Sequence, residues 1–157
     1  MKIVKKILVV LLIAFVLMQF YRPDKNESAE IPDTDIIVMV SPPEAIKSML
    51  KTSCYDCHSN NTVYPWYNNI APVSYWLDDH IDHGKGHLDF SEWGTYSAKK
   101  KAHKLEELIE MVKADEMPLN SYLWMHGNAK LSEDQVKTLV DWADKLRISY
   151  QSEAKLQ

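Results

Sequence analysis

The only two cysteines of this 157-residue chain stand three positions apart, and a histidine directly follows the second: Cys54-Tyr55-Asp56-Cys57-His58. One helical turn brings both sulfurs to the same side with the imidazole beside them. That arrangement suits two thiols bonded covalently to the edge of one porphyrin while the imidazole ligates its iron, so the motif points to an attached haem. Two other readings use the same residues. A redox-active disulfide calls for a strand–helix–strand context, and the flanking sequence shows helix punctuation without strand alternation. A zinc site requires four ligands, and Cys54, Cys57 and His58 would need a further histidine brought from a distant loop.

The N-terminus has the make-up of an export or anchoring segment. Lys2, Lys5 and Lys6 precede an uncharged run from Ile7 to Phe20, which Arg22-Pro23-Asp24-Lys25 closes. Leu17 to Tyr21 are bulky where a cleavage site prefers small side chains, which favours a retained anchor over residues 1–22; a cleaved signal peptide is the alternative. Counted from Ile3 to Tyr21, the helix would be about 28 Å long with its lysines snorkelling, close to a hydrocarbon core of about 30 Å. Lysines on its N-terminal side leave the rest of the chain outside the cytoplasm.

Beyond position 22, 14 Lys and Arg stand against all 22 Asp and Glu, a net charge of −8. Such a surface argues against nucleic acid as a partner and would steer basic redox proteins toward it. Residues 23–40 read as a polar linker, interrupted by Ile36 to Val40, which is expected to pack on the domain as an extended arm. Residues 41–148 suffice for one core, with 149–157 left as a C-terminal tail.

Helix signals divide that core. Ser41-Pro42-Pro43-Glu44 reads as a capping box, followed by Ile46, Met49, Leu50 and Ser53 on one face. Pro72 starts a second helix bearing Val73, Trp76, Leu77, His80 and Ile81, with Gly84 placed to end it. Ser97 caps a third, with Ala102, Leu105, Leu108, Ile109 and Val112 at helical spacing. Ser132 and Gln135 form a last capping box before Val136, Leu139, Val140, Ala143 and Leu146.

An iron held by His58 needs a second axial ligand or an open position. Pro118 disfavours helical geometry at the residue before it, so it is expected to end the third helix at Met117 and turn that thioether out of register. Met117 then pairs with His58 as distal ligand, or else simply fills core space. Its proline ranks it above Met49, Met111 and Met125. His80, on the apolar face of the second helix, and His126 are secondary ligand candidates. Gly84 and Gly86 make a helix around His83 and His87 doubtful, which leaves these two as surface residues, and His103 lies on a lysine-rich face. Trp66, Tyr67, Trp76, Trp93, Tyr122, Trp124 and Trp142 are numerous enough to wall a flat apolar cofactor, although ordinary core packing explains most of them equally well.

The runs Ser53 to Thr62, Tyr64-Pro65-Trp66-Tyr67, Ile70-Ala71-Pro72-Val73, Phe90-Ser91-Glu92-Trp93, Glu116-Met117-Pro118-Leu119 with Tyr122 and His126, and Ala129 to Ser132 leading into Trp142 resemble the bacterial haem-binding domain family related to cytochrome c. The resemblance covers about two thirds of the chain and includes the N-terminal apolar segment. It implies a cytochrome-c-like fold with one covalent haem, and it carries no donor, acceptor or reaction with it.

The expectation is therefore an all-α, cytochrome-c-like domain behind an N-terminal transmembrane or signal-anchor helix, holding one covalent haem c per chain. Cys54 and Cys57 would make the thioether bonds, His58 the proximal bond and Met117 the distal one. Such a protein carries single electrons between redox protein partners and is not an enzyme. Its expected place is the bacterial inner membrane with the haem domain in the periplasm. The alternatives are a haem-based sensor or gas-binding module with a weakly held sixth position, and a peroxidase-type enzyme with an open distal side.

Overall fold

The computed structural model describes residues 2–156, and among these the regular elements are helices, with one isolated bridge between Glu27 and Asn61. Helix α1 (Lys2–Met18) has 17 residues, about 26 Å at 1.5 Å per residue, and every side chain from Ile3 to Leu17 is exposed. No helix among the described residues is long and apolar enough to cross a membrane. The expected span to Tyr21 stops three residues early because the chain leaving α1 is bonded into the domain. The Gln19 amide donates to Ala71 O (3.1 Å) and accepts from Ala71 N (3.0 Å), and the Tyr75 hydroxyl donates to Met18 O at 2.6 Å.

Residues 23–40, expected as a linker, pack on the domain. Asn26 donates through its side chain to Ser59 O and Thr62 Oγ1, and Thr62 N donates back to Asn26 O. Ile36–Val40 forms a short helix α2 instead of an extended arm, because the Asp35 side chain caps it by accepting from Ile37 N. Ile36 is fully buried. Ser41, expected to cap the next helix, instead closes α2 in the left-handed region at φ 47°. Pro43 follows Pro42 and keeps it out of helical geometry, so α3 (Glu44–Ser53) starts after Pro43 without a side-chain cap.

Helix α4 (Tyr55–His58) follows a break at Cys54. Helix α5 (Val73–His87) begins after Pro72 as expected but runs straight through Gly84 and Gly86. Helix α6 (Ala98–Lys113) takes its cap from Ser97, whose side chain accepts from Lys100 N. Its end is not set by Pro118. Asp115, at φ 58°, donates to Val112 O while Glu116 N donates to Met111 O, the paired bonds of a Schellman stop. The short α7 (Asn120–Leu123) leads to α8 (Glu133–Ala154), which opens with the Ser132/Gln135 capping box and runs on into the stretch expected as a tail, as far as Ala154. Tyr150, in that continuation, accepts a bond from the fully buried Trp93 Nε1 at 3.2 Å.

Helices α6 and α8 pack along one another, α3 lies against α8, and α4 against α5. Leu50, Phe90, Trp93, Leu105 and Leu139 fill the space between them and are at most 1% exposed. Each buries enough apolar surface to contribute about 1.5–3 kcal/mol. This core sits beneath α4 and so fixes the cysteine segment from below.

Candidate functional site

The Cys54–His58 turn is held at every position. Cys54 N donates to Leu50 O as the last bond of α3, and the Cys57 and His58 amides both donate to Cys54 O. Tyr55 points into the core, stacks on Phe90 with centroids 5.5 Å apart, and donates to Asp35 Oδ1 at 2.6 Å. Asp35 is fully buried and also accepts from Ile37 N and Ser91 Oγ, so its oxygens are satisfied. Asp56 faces the other way and accepts from Val63 N (3.0 Å) and from the Tyr122 hydroxyl (2.7 Å). The two residues inside the motif thus tie it to α2 on one side and to α7 on the other.

Helix α5 approaches from above. A Cβ added to Gly84 would lie 2.5 Å from Cys57 O and 3.1 Å from Cys57 Cβ, so only glycine permits this contact. Gly84 therefore serves close packing on the cysteine turn and does not end the helix. The next stretch positions His58: Leu88 O accepts from His58 Nδ1 at 2.9 Å, and Phe90 N donates to His58 O. With Nδ1 carrying the proton, Nε2 of the neutral ring keeps its lone pair, the form a metal ligand needs. Burial lowers the His58 pKa and so favours this neutral form, outweighing the backbone bonds that raise it.

These elements enclose a cavity of about 630 Å³, within the size range of small-molecule sites. Cys54, Cys57, His58 and Met117 all line it, as do Leu108, Met111 and Val112 of α6. Met117 is half-buried against the core, and its segment is tied to the cysteine turn through Tyr122 and Asp56. Burial pushes the Cys54 thiol up to about 12, helped by Cys57, and the Cys57 thiol to about 11, helped by Asp56. Both remain protonated at neutral pH. Neither is poised for disulfide exchange, which needs a thiolate.

Several residues fall elsewhere than their sequence suggests. His83 and His87 stand on α5, and with His80 they line the same cavity from one face of the helix, although His83 and His87 are exposed. His80 Nδ1 is bonded to Trp76 O and His83 Nδ1 to Asp79 O. His126 stacks on Tyr122 at 4.1 Å and does not line the cavity, and neither do Met49 and Met125. Met111 does line it, one helical turn before the Schellman stop, a position its sequence neighbours do not reveal. Among the described residues no group of three or more His, Cys, Asp or Glu side chains is placed to hold a metal ion, so the zinc reading has no ligand set here.

The donor set fits a haem. Two neutral thiols, an imidazole with a free lone pair and a thioether share one largely apolar, partly open cavity, and these are donor types that haem sites use. A family model described as a haem-binding domain matches residues 13–145, and the chain belongs to that family. No curated protein and no solved structure matches it.

Proposed function

We propose that the protein is a monohaem c-type cytochrome that carries one electron at a time between redox protein partners. The observation that supports this most is that Cys54, Cys57, His58 and Met117 line one cavity. A haem bound there supplies an iron centre that accepts and returns a single electron without bond-making chemistry. Cys54 and Cys57 would anchor it by thioether bonds, and His58 would bind through Nε2 while Leu88 O orients the ring. Met117 would offer its sulfur as a second ligand, a soft donor that favours the ferrous state. Leu108, Val112 and Phe90 would shield the bound group from water, and the hydrogen bond from Tyr122 to Asp56 ties the Met117 segment to the cysteine turn. The wholly exposed apolar α1 behind Lys2, Lys5 and Lys6 supports attachment to a membrane with the domain outside the cytoplasm, in a bacterial periplasm. The net charge of −8 beyond position 22 supports basic partners.

An absorption spectrum tests the assignment. The oxidised protein is expected to be six-coordinate and low-spin, with a weak far-red band from the thioether–iron pair. Met117→Ala should abolish that band and lower the reduction potential, whereas Met111→Leu should leave both unchanged. Loss of the band in Met111→Leu alone would move the distal role to Met111, and a high-spin spectrum of the unsubstituted protein would contradict the electron carrier.

A further inference from the structure

Where α1 meets the domain the chain forms a clasp. Besides the two-way pair between Gln19 and the Ala71 backbone, the Tyr75 hydroxyl at Met18 O lies 3.1 Å from Tyr21 O, the Tyr21 and Tyr75 rings stand 5.7 Å apart, and Arg22 Nη1 donates to Asn69 Oδ1 at 3.4 Å. Ala71 is buried, so the clasp grips the body of the domain and not a loose loop. Beside it large apolar side chains stay exposed among the described residues: Phe20, Tyr21, part of Ile70 and, in the same short turn as Asn69, Trp66 at 73% exposure.

We propose that this face rests on the headgroup region of a lipid bilayer, and that α1 and the domain move as one body. The proposal rests on the membrane reading of α1. Three observations select lipid as the occupant. The side chains of α1 are exposed on all sides, as a surrounding solvent of lipid requires, where a partner helix would need only one stripe. Helix α1, at about 26 Å, is shorter than a hydrocarbon core of about 30 Å, so the residues following it are drawn down to the interface. No spacer separates it from the domain, since Gln19 already belongs to the clasp. Tyr, Trp and Phe side chains are the ones that settle at this depth. The clasp grips Tyr75 in the first turn of α5, and Asp79, His80, His83, Gly84 and His87 further along that helix border the cavity, so the cavity begins only about 6 Å along the axis from the clasp. Partners would then meet the site close to the bilayer and not at the end of a flexible tether.

Hydroxyl-radical footprinting of the full haem-loaded chain, before and after incorporation into phosphatidylcholine vesicles, tests this. Trp66 and Trp124, exposed by 73% and 81%, should label at similar rates before vesicles are added. In vesicles Trp66 should label several-fold more slowly while Trp124 is unchanged. The double substitution Gln19→Ala/Tyr75→Phe should restore Trp66 labelling while the protein still sediments with the vesicles. Equal labelling of Trp66 and Trp124 in sedimented protein would overturn the proposal and leave membrane attachment standing. Protection of Trp66 before lipid is added would show a protein contact instead and would also overturn it. Protein that stays in the supernatant would remove the membrane reading itself.

Discussion

Gly84→Ala adds one methyl group where α5 crosses the cysteine turn, and the structure sets the size of the effect. The new Cβ would stand 2.5 Å from Cys57 O, whereas ordinary contact begins at 3.4 Å, so the helix or the turn must yield by about 1 Å. The obstacle is backbone, which cannot swing aside. Overpacking of this kind costs about 1–3 kcal/mol, and alanine recovers at most about 1 kcal/mol of helix propensity. The net expectation is a loss of up to about 2 kcal/mol, at about 2–4 °C in Tm per kcal/mol for a chain of this length. Gly86 provides the control, because a Cβ there meets nothing within 4 Å and the same substitution should stabilise by about 0.5–1 kcal/mol. Thermal unfolding followed by far-ultraviolet circular dichroism reads both variants, and haem content reads the displacement of Cys57. Opposite signs two residues apart on one helix are expected. A Gly84→Ala variant as stable and as well loaded as Gly86→Ala would refute the close-packing argument.

The tyrosines next to the cysteine turn give a pH dependence. Burial and then the bond to Asp35 raise the Tyr55 pKa, and burial and then Asp56 raise that of Tyr122, so folding favours both phenols protonated. Their contribution is complete below about pH 10, where unfolded tyrosine ionises, and is lost as pH rises further. Alkaline unfolding should therefore coincide with ionisation of a block of tyrosines that Tyr55→Phe reduces; free titration of that block ahead of unfolding would contradict the burial. In the haem-free protein the raised thiol pKa values leave Cys54 with about a thousandfold less thiolate than an unburied cysteine at pH 8, so alkylation should be slow until denaturant is added. Fast alkylation of the folded chain would show that the thiols are open. Tyr122→Phe deletes the bond to Asp56 and should cost about 1–3 kcal/mol or less of stability while shifting the reduction potential, since the distal segment loses its tie to the turn. An unchanged potential would confine Tyr122 to packing.

What could be read from the chain alone was whatever neighbouring residues decide. The Cys54–His58 spacing, the Ser97 cap and the Ser132/Gln135 box are each local patterns, and each stands where the sequence puts it. The misreadings arise where distant residues compete. Gly84 looks like a helix stop until Cys57 is packed against it, and Ser41 looks like a cap until Asp35 has nucleated α2 upstream. Asp115 ends α6 in a left-handed turn that favours glycine and asparagine, so its sequence gave no warning. Asp35, the buried acceptor for Tyr55, could have been noticed as an N-cap before Ile36-Ile37, but its partner lies 20 positions away. Met111 shares the cavity with Met117 only because the chain reverses at the Schellman stop, a tertiary fact without a sequence signature.

Covalent attachment of one haem through Cys54 and Cys57 is tested directly by acid–acetone extraction of the purified protein. Haem should stay with the polypeptide and give a c-type haemochrome spectrum with one iron per chain. In the Cys54→Ala/Cys57→Ala variant it should pass entirely into the organic phase, because the chain holds no other thiol. Haem that extracts freely from the unsubstituted protein, or that remains bound after both cysteines are replaced, would contradict the account.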